Sequence, residues 1–180
     1  MHTLSGLIIL LASLAGCVHT IHVNPLPSAP TGNRIPRAVQ IIVGPLSIIG
    51  ADHMPGITLL EWSHRDLSQA LIQYVERRGT FNAVSTGPSD LAMTIVTRLS
   101  MASRERYRYR IQLQVEMRET TQPIKTYLTE HEAEGSLVRW VTASDRDPIE
   151  AALQRALDDV FTQIEADRSL YATNAGRTGK

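Results

Sequence analysis

The sequence has one cysteine, so the chain cannot close an internal disulfide bond. It has only two phenylalanines and two tryptophans, and it shows no repeat that would indicate a solenoid or a propeller. Its 18 basic and 18 acidic residues cancel, and a neutral chain is not drawn strongly to nucleic acid or to anionic lipid. A domain built from this chain must therefore be held together by burial of apolar side chains.

The first 17 residues lack any Asp, Glu, Lys or Arg. Residues 4–14 form an apolar run that is too short to span a bilayer as a helix and has the length found in secretory signals. The run ends in Leu14-Ala15-Gly16-Cys17, where small residues precede the only thiol. This stretch closely resembles the lipobox of bacterial lipoproteins. The alternative is a buried N-terminal helix or strand with a free cysteine in the core.

The lipobox resemblance implies a signal peptide over residues 1–17 that is cleaved before Cys17. It also implies a diacylglyceryl group and an N-linked acyl chain on Cys17, and we expect no other cofactor. Val18 and His19 stand where an Asp keeps lipoproteins at the inner membrane of enteric bacteria. By this resemblance, the protein is anchored by lipid on the periplasmic side of the outer membrane.

Residues 18–37 contain four prolines and few large apolar side chains, which predicts an extended Pro-rich tether. At about 3 Å per residue, such a tether would hold a domain roughly 50–60 Å from the bilayer. The alternative is an ordered arm lying on the domain, because Ile21, Val23 and Leu26 interrupt the polar composition.

Residues 38–167 carry the patterns of one folded domain. A β-branched run closed by Gly44-Pro45 predicts a central strand buried on both faces. Ser63 and Asp66 cap the first predicted helix, and Asp147 with Pro148 begins the second. The predicted elements are strand 38–46, helix 60–79, strands 80–84, 91–101, 107–117 and 125–134 with a continuation across 135–143, and helix 147–167.

The order β-α-β-β-β-β-α predicts an α+β two-layer sandwich, with two helices on one face of a mostly antiparallel sheet. The other face is expected to be polar and open. Residues 168–180 are polar and glycine-rich and predict a flexible tail.

The strand at 107–117 alternates arginines with tyrosines. Such interleaving is typical of single-stranded nucleic acid binding, but alternation sends the two types to opposite faces, so we expect no nucleic acid partner. The next strand has glutamates at the same spacing, and a hairpin pairing Arg110 with Glu132 and Arg108 with Glu134 would form a ladder of opposite charges on the open face. The ladder is either a solvated structural feature or a docking surface for a partner. Its candidate residues are Arg106, Arg108, Arg110, Glu130, Glu132 and Glu134.

The remaining chemistry-bearing residues do not form a catalytic pattern. His64 and His131 belong to no HExxH motif or clustered set, so we expect no metal. Ser136, Ser144 and Asp145 lack a nucleophile elbow, and Asp158-Asp159 is expected to be solvated on an exposed helix face. We therefore expect that the protein is not an enzyme. Trp62 and Trp140 each belong either to the core or to an interface, and both are candidate partner-binding residues.

The whole pattern resembles a group of bacterial envelope lipoproteins that includes the LPS-assembly lipoprotein LptE, the auxiliary lipoproteins of ABC transporters, and CsgG-like and TolB amino-terminal-like domains. Four features carry the resemblance: Val39 to Pro45, the segment from Leu67 to Phe81, the strand pair 91–118 and the final helix. It implies a non-catalytic accessory of an outer-membrane transport or export machine for LPS, polysaccharide or lipid, with an envelope protein partner or a homo-oligomer. The alternatives are a stand-alone module that binds a small amphiphile between sheet and helices, and an envelope hydrolase.

Overall fold

The computed structural model describes residues 18–50, 59–85, 87–103, 105–119, 122–136 and 143–171. The predicted signal peptide with Cys17, the candidate Trp140 and residues 172–180 of the predicted tail lie outside these ranges.

The described elements are seven strands, two α-helices and a 3-10 turn. In chain order they are β1 (Val18–Thr20), β2 (Ile35–Gly50), β3 (Leu59–Glu61), α1 (His64–Arg78), β4 (Phe81–Ser85), β5 (Leu91–Ser103), β6 (Tyr107–Glu119), β7 (Gln122–Glu134), α2 (Ala143–Ala166) and the 3-10 turn Arg168–Tyr171.

Five strands form one mixed sheet in the order β4-β2-β5-β6-β7. Strand β2 runs parallel to β4 and β5, whereas β5, β6 and β7 form antiparallel pairs along nearly their whole length. The short strands β1 and β3 form a separate parallel pair. With both helices packed on one face of the large sheet, the predicted α+β class is confirmed.

Period-two alternation explains which face of the sheet is buried. In β5 and β6 every second side chain enters the core, except that Tyr107 is only partly buried. The buried members are Leu91, Met93, Ile95, Thr97, Leu99, Met101, Tyr109, Ile111, Leu113, Val115 and Met117. The core therefore lies between this face and the two helices.

Helix α1 has the predicted cap at Ser63, but it begins at His64 and not at residue 60, because Leu59–Glu61 forms β3. Ser63 accepts a hydrogen bond from the Asp66 amide at 3.1 Å, and its hydroxyl donates to the Asp66 carboxylate at 2.7 Å. Gly79 ends the helix with φ 72°, a left-handed conformation that favours glycine.

Helix α2 buries the apolar side chains of one face, but it begins earlier than the predicted residue 147. It starts at Ala143, so Asp147 is not the cap and Pro148 lies inside the helix. The physical reason is a contact with the sheet: the Tyr109 hydroxyl donates a hydrogen bond to buried Asp145, which lies in the first turn. No local capping rule could reveal this long-range contact.

The predicted tether is instead an ordered arm, which was the alternative interpretation. Residues 21–34, here called the arm, lie along the helix layer with Ile21 and Val23 buried in the core. The Asn24 amide donates to Glu150 Oε2 at 2.8 Å, and the Ser28 hydroxyl donates to Asp158 Oδ2 at 2.6 Å. Apolar burial and these bonds hold the arm on the domain.

The chain after Asp167 also departs from the predicted tail. Arg168–Tyr171 forms a 3-10 turn, and Tyr171 is fully buried with its hydroxyl 2.6 Å from that of Tyr127. These four residues therefore belong to the domain.

Candidate docking surface

The second face of the large sheet, here called the open face, is free of packed helix or arm among the described residues. Both helices contact the opposite face, α1 near β2 and β4, and α2 on β6 and β7. The open face carries polar and charged side chains from three adjacent strands. They include Thr94, Arg98 and Ser100 of β5, Arg108, Arg110, Gln112, Gln114 and Glu116 of β6, and Glu130, Glu132 and Glu134 of β7.

The predicted hairpin register is confirmed, since Arg110 lies opposite Glu132 and Arg108 opposite Glu134. Arg110 Nη2 is 3.1 Å from Glu132 Oε2, and its Nη1 is 3.4 Å from Glu130 Oε1. Arg108 reaches Glu132 and Glu134, each at 3.8 Å. The five side chains form one zigzag network, here called the charge ladder.

The charge ladder contributes little to folding. Its arginines are about half-exposed, and exposed ion pairs stabilise a fold by only about 0.2–1 kcal/mol each. Its physical effects are to fix the strand register and to balance charge across the face. A balanced surface suits a partner of mixed charge better than a uniformly anionic polymer.

Arg106 lies outside the ladder, in the turn between β5 and β6. Together with Glu105, Arg108 and Glu134, it lines a cavity of about 390 Å³ at one end of the open face. The predicted cluster of three arginines is therefore divided between a strand and a turn.

Three exposed aliphatic side chains lie among the polar residues of the open face. Leu128 is 61% exposed and lies opposite Gln114, and Ile42 and Ile49 project from β2 on the same side. Ile42 is 43% exposed although it lies in the run 38–46, so the prediction that this strand is buried on both faces is wrong. Ile49 and Leu128 are not among the predicted surface residues. Leu128 can be identified from the sequence, because it lies an even number of residues from Glu130 and Glu132 and therefore shares their face of β7.

The outer edge of β7 is less open than its face. Arg155 of α2 donates a hydrogen bond to the Glu132 carbonyl at 3.1 Å, and Pro123 at the start of the strand has no amide to donate. Side chains that cover backbone groups in this way are typical of protected edge strands. The arrangement favours docking on the face over addition of a strand.

Trp62 is not part of any surface. It is only 4% exposed and belongs to the core, so its candidacy as a partner-binding residue is wrong. The indole fills the core beside the β1–β3 pair, in keeping with the general burial of tryptophan.

The fold places His131 and its neighbour Glu132 on opposite faces of the sheet. His131 points to the helix side, where its Nε2 lies 3.2 Å from Asp159 Oδ2, whereas Glu132 points to the open face. His64 contacts the Val43 carbonyl at 3.1 Å. Among the described residues no group of three His, Cys, Asp or Glu side chains could hold a metal ion.

Asp158 departs from the expectation of a solvated carboxylate. It accepts hydrogen bonds from the Tyr74 hydroxyl at 2.6 Å, from Arg78 at 2.9 Å and from Ser28. Burial opposes ionisation, but the bonds from Ser28 and Tyr74 and the Arg78 charge hold the pKa of Asp158 below its usual value. This site is structural, because it joins the arm to both helices.

The space between sheet and helices, where a small amphiphile was the alternative, is filled by side chains. Leu67, Leu113 and Phe161 meet there with no exposed surface. A cavity of about 180 Å³ lies elsewhere, between the arm and α1, and is lined by His22, Val23, Asn24, Asp66, Gln69, Ala70 and Gln73. The packing gives no observation in favour of the amphiphile.

Comparisons with known proteins report similarity of structure alone. No family model matches the chain, and no curated protein matches it. Protein XCC0632 from Xanthomonas campestris, assigned to the family model DUF330, is 14% identical with a TM-score of 0.49, over 86% of this chain and 96% of that chain.

Two further solved structures are similar. The hypothetical protein CT253 from Chlamydia trachomatis is 10% identical with a TM-score of 0.46, over 74% of this chain and 98% of that chain. A protein from Caulobacter crescentus, provisionally described as a lipoprotein, is 12% identical with a TM-score of 0.38, over 70% of this chain and 88% of that chain.

Neither described helix has the combination of length and apolar character needed to cross a membrane.

Proposed function

We propose that this protein is a non-catalytic, lipid-anchored accessory of an outer-membrane transport or assembly machine, and that a partner protein of that machine docks on the open face. The anchor is supported by Leu14-Ala15-Gly16-Cys17 and by the uncharged apolar run before it. The observation that carries the docking role is the open face itself: a broad sheet surface that no described element covers, with a balanced charge ladder and isolated aliphatic side chains.

The chemistry of the open face favours a protein over other partners. Each ladder arginine lies within 4 Å of at least one glutamate, so little positive charge is left to attract nucleic acid or an anionic polysaccharide. The exposed Leu128 offers a small apolar contact of the kind that protein interfaces bury at their centre. The partner is therefore a protein of the envelope with both charge signs on its contacting surface.

A site-specific photo-crosslinking experiment in cells tests the docking role. A photoreactive residue replaces Gln114 on the open face, and a matched control replaces exposed Ser169 in the 3-10 turn. The expected result is a discrete crosslink to one envelope protein from position 114 that is absent from position 169. Charge reversal in the ladder should remove it. Equal products at both positions, or none at either, would contradict the proposal.

Localisation tests the anchor separately. The Cys17→Ser variant should leave the outer-membrane fraction, and mass spectrometry of the parent should find acyl chains on Cys17. A parent that carries no lipid would refute the anchor, whatever the crosslinking shows.

A further inference from the structure

The arm runs along α1 in a fixed direction. His22 Nδ1 lies 3.1 Å from Asp66 Oδ2 in the first turn of the helix, and the Thr31 amide donates to the Arg78 carbonyl at its end, at 2.9 Å. Followed back toward the N-terminus, the chain therefore leads to the end of the molecule where α1 begins.

At that end the chain is tied down immediately after Cys17. Val18 lies opposite Leu59 in the β1–β3 pair, and the Ile21 amide donates to the Glu61 carbonyl at 2.9 Å. Ile21 itself is fully packed in the core. Even with β1 released, the chain from Cys17 to Ile21 could extend no more than about 13–14 Å.

The short chain between Cys17 and Ile21 keeps the domain closer to the bilayer than a free tether would. A tether through residue 37 would let the domain move roughly 50–60 Å from the bilayer, whereas the docked arm permits about a quarter of that distance. Parting the domain from the membrane would require Ile21 and Val23 to leave the core, because both are buried there.

We infer that the arm holds the domain directly against the lipid surface, with the N-terminal end of α1 nearest the bilayer. The inference rests on the lipid anchor of the proposed function. It also narrows the partner class, because a protein that reaches the open face must itself lie at the membrane surface.

Energy transfer in proteoliposomes tests this orientation. A fluorescent amino acid replaces Arg65 or Glu76, two exposed positions at opposite ends of α1 that lie about 16 Å apart along the helix. The lipidated protein is placed in phosphatidylethanolamine–phosphatidylglycerol vesicles that contain a headgroup-labelled acceptor lipid. Transfer should be severalfold stronger from position 65 than from position 76.

A variant with a long flexible linker after Cys17 provides the comparison. A Gly/Ser insertion of about 20 residues between Cys17 and Val18, with a root-mean-square length of roughly 25 Å, should lower transfer from position 65 and remove the difference between the two positions. If the parent already gives equal, weak transfer from both positions, or if the insertion changes nothing, the inference is overturned.

A second preparation separates this result from failure of the anchor. The chain that begins at Cys17 contains every described residue and only one thiol, so a maleimide lipid can be coupled to Cys17 in vitro. Absence of native lipid would overturn the proposed anchor, whereas transfer from the coupled protein would still decide the orientation.

Discussion

Arg78 Nε lies 3.0 Å from Glu165 Oε1, and this ion pair joins the last turn of α1 to the last turn of α2. Both residues are only 8% exposed. Glu165 also accepts a hydrogen bond from the Thr80 hydroxyl at 2.6 Å, and Arg78 also donates to Asp158 at 2.9 Å. The charges are thus partnered on several sides, as a buried pair must be.

Removing one member of this pair should be costly. Arg78→Met leaves Glu165 buried without its partner, and we expect a loss of about 3–5 kcal/mol in the free energy of unfolding, measured by urea denaturation. Arg65→Met, at an exposed position of the same helix, should change it by less than about 0.5 kcal/mol. The double variant Arg78→Met/Glu165→Leu should recover much of the loss, and a double variant as unstable as the single one would contradict this account.

The arm should behave as part of the core. Ile21 is 1% exposed and Leu26 is 53% exposed. Ile21→Ala should therefore lower the free energy of unfolding by about 2–5 kcal/mol, whereas Leu26→Ala should lower it by less than about 0.5 kcal/mol. Two equally small effects would show that the arm is a loose tether.

Acid should weaken the link between the arm and the helices. The pKa of Asp158 is lowered in the folded state, because the bonds from Ser28, Tyr74 and Arg78 outweigh the opposing effect of burial. Its contribution to stability is therefore complete above about pH 4, the range of an unfolded carboxyl group, and is lost as the pH falls through the lower folded value.

Urea midpoints of the parent and of the Asp158→Asn variant, measured from pH 7 down to about pH 2, test this dependence. The variant has no carboxyl group to titrate at position 158. The variant should be less stable than the parent at pH 7 and should lose less stability on acidification. A variant curve parallel to that of the parent would assign the acid sensitivity to other groups.

Gly79 should resist replacement for conformational reasons alone. Its φ is 72°, and an added Cβ would meet Arg34 only at an ordinary 3.7 Å. Gly79→Ala should lower the free energy of unfolding by about 1–2 kcal/mol through the left-handed backbone. Gly87→Ala, where an added Cβ meets nothing within 4 Å, is the matched control and should be nearly neutral. A similar effect at both glycines would contradict this explanation.

The charge ladder allows its structural and docking roles to be separated. Arg110→Glu should cost less than about 1 kcal/mol in folding but should abolish the crosslink from position 114. The exchange Arg110→Glu/Glu132→Arg should restore stability without restoring the crosslink, because the partner meets a changed pattern of charge. If the exchange restores both the stability and the crosslink from position 114, the charge ladder has only a structural role.

The parts of the fold that the sequence predicted depend on short-range rules. Alternation in β6 and β7, with a turn between them, sufficed to pair Arg110 with Glu132. Ser63 is predictable as a cap because its partner Asp66 is only three residues away. The charged part of the open face was predictable for the same reason.

The parts that were missed depend on distant contacts. The start of α2 is set by Tyr109, and the state of Asp158 is set by Ser28, Tyr74 and Arg78. The docked arm was missed because proline content favours extension, whereas its burial depends on a helix formed by the other end of the chain. Trp62 remained undecided because composition does not distinguish the core from an interface.

The route of the arm also dictates the order of events in folding. Asn24 bonds to Glu150 across 126 positions, and Arg168 donates to Asn33 across 135. A chain made from its N-terminus cannot close these contacts until its last helix exists. The contacts of Asn24 and Asn33 therefore form only after the last helix has been made, whereas those of β1 and Ile21 need only the chain through Glu61.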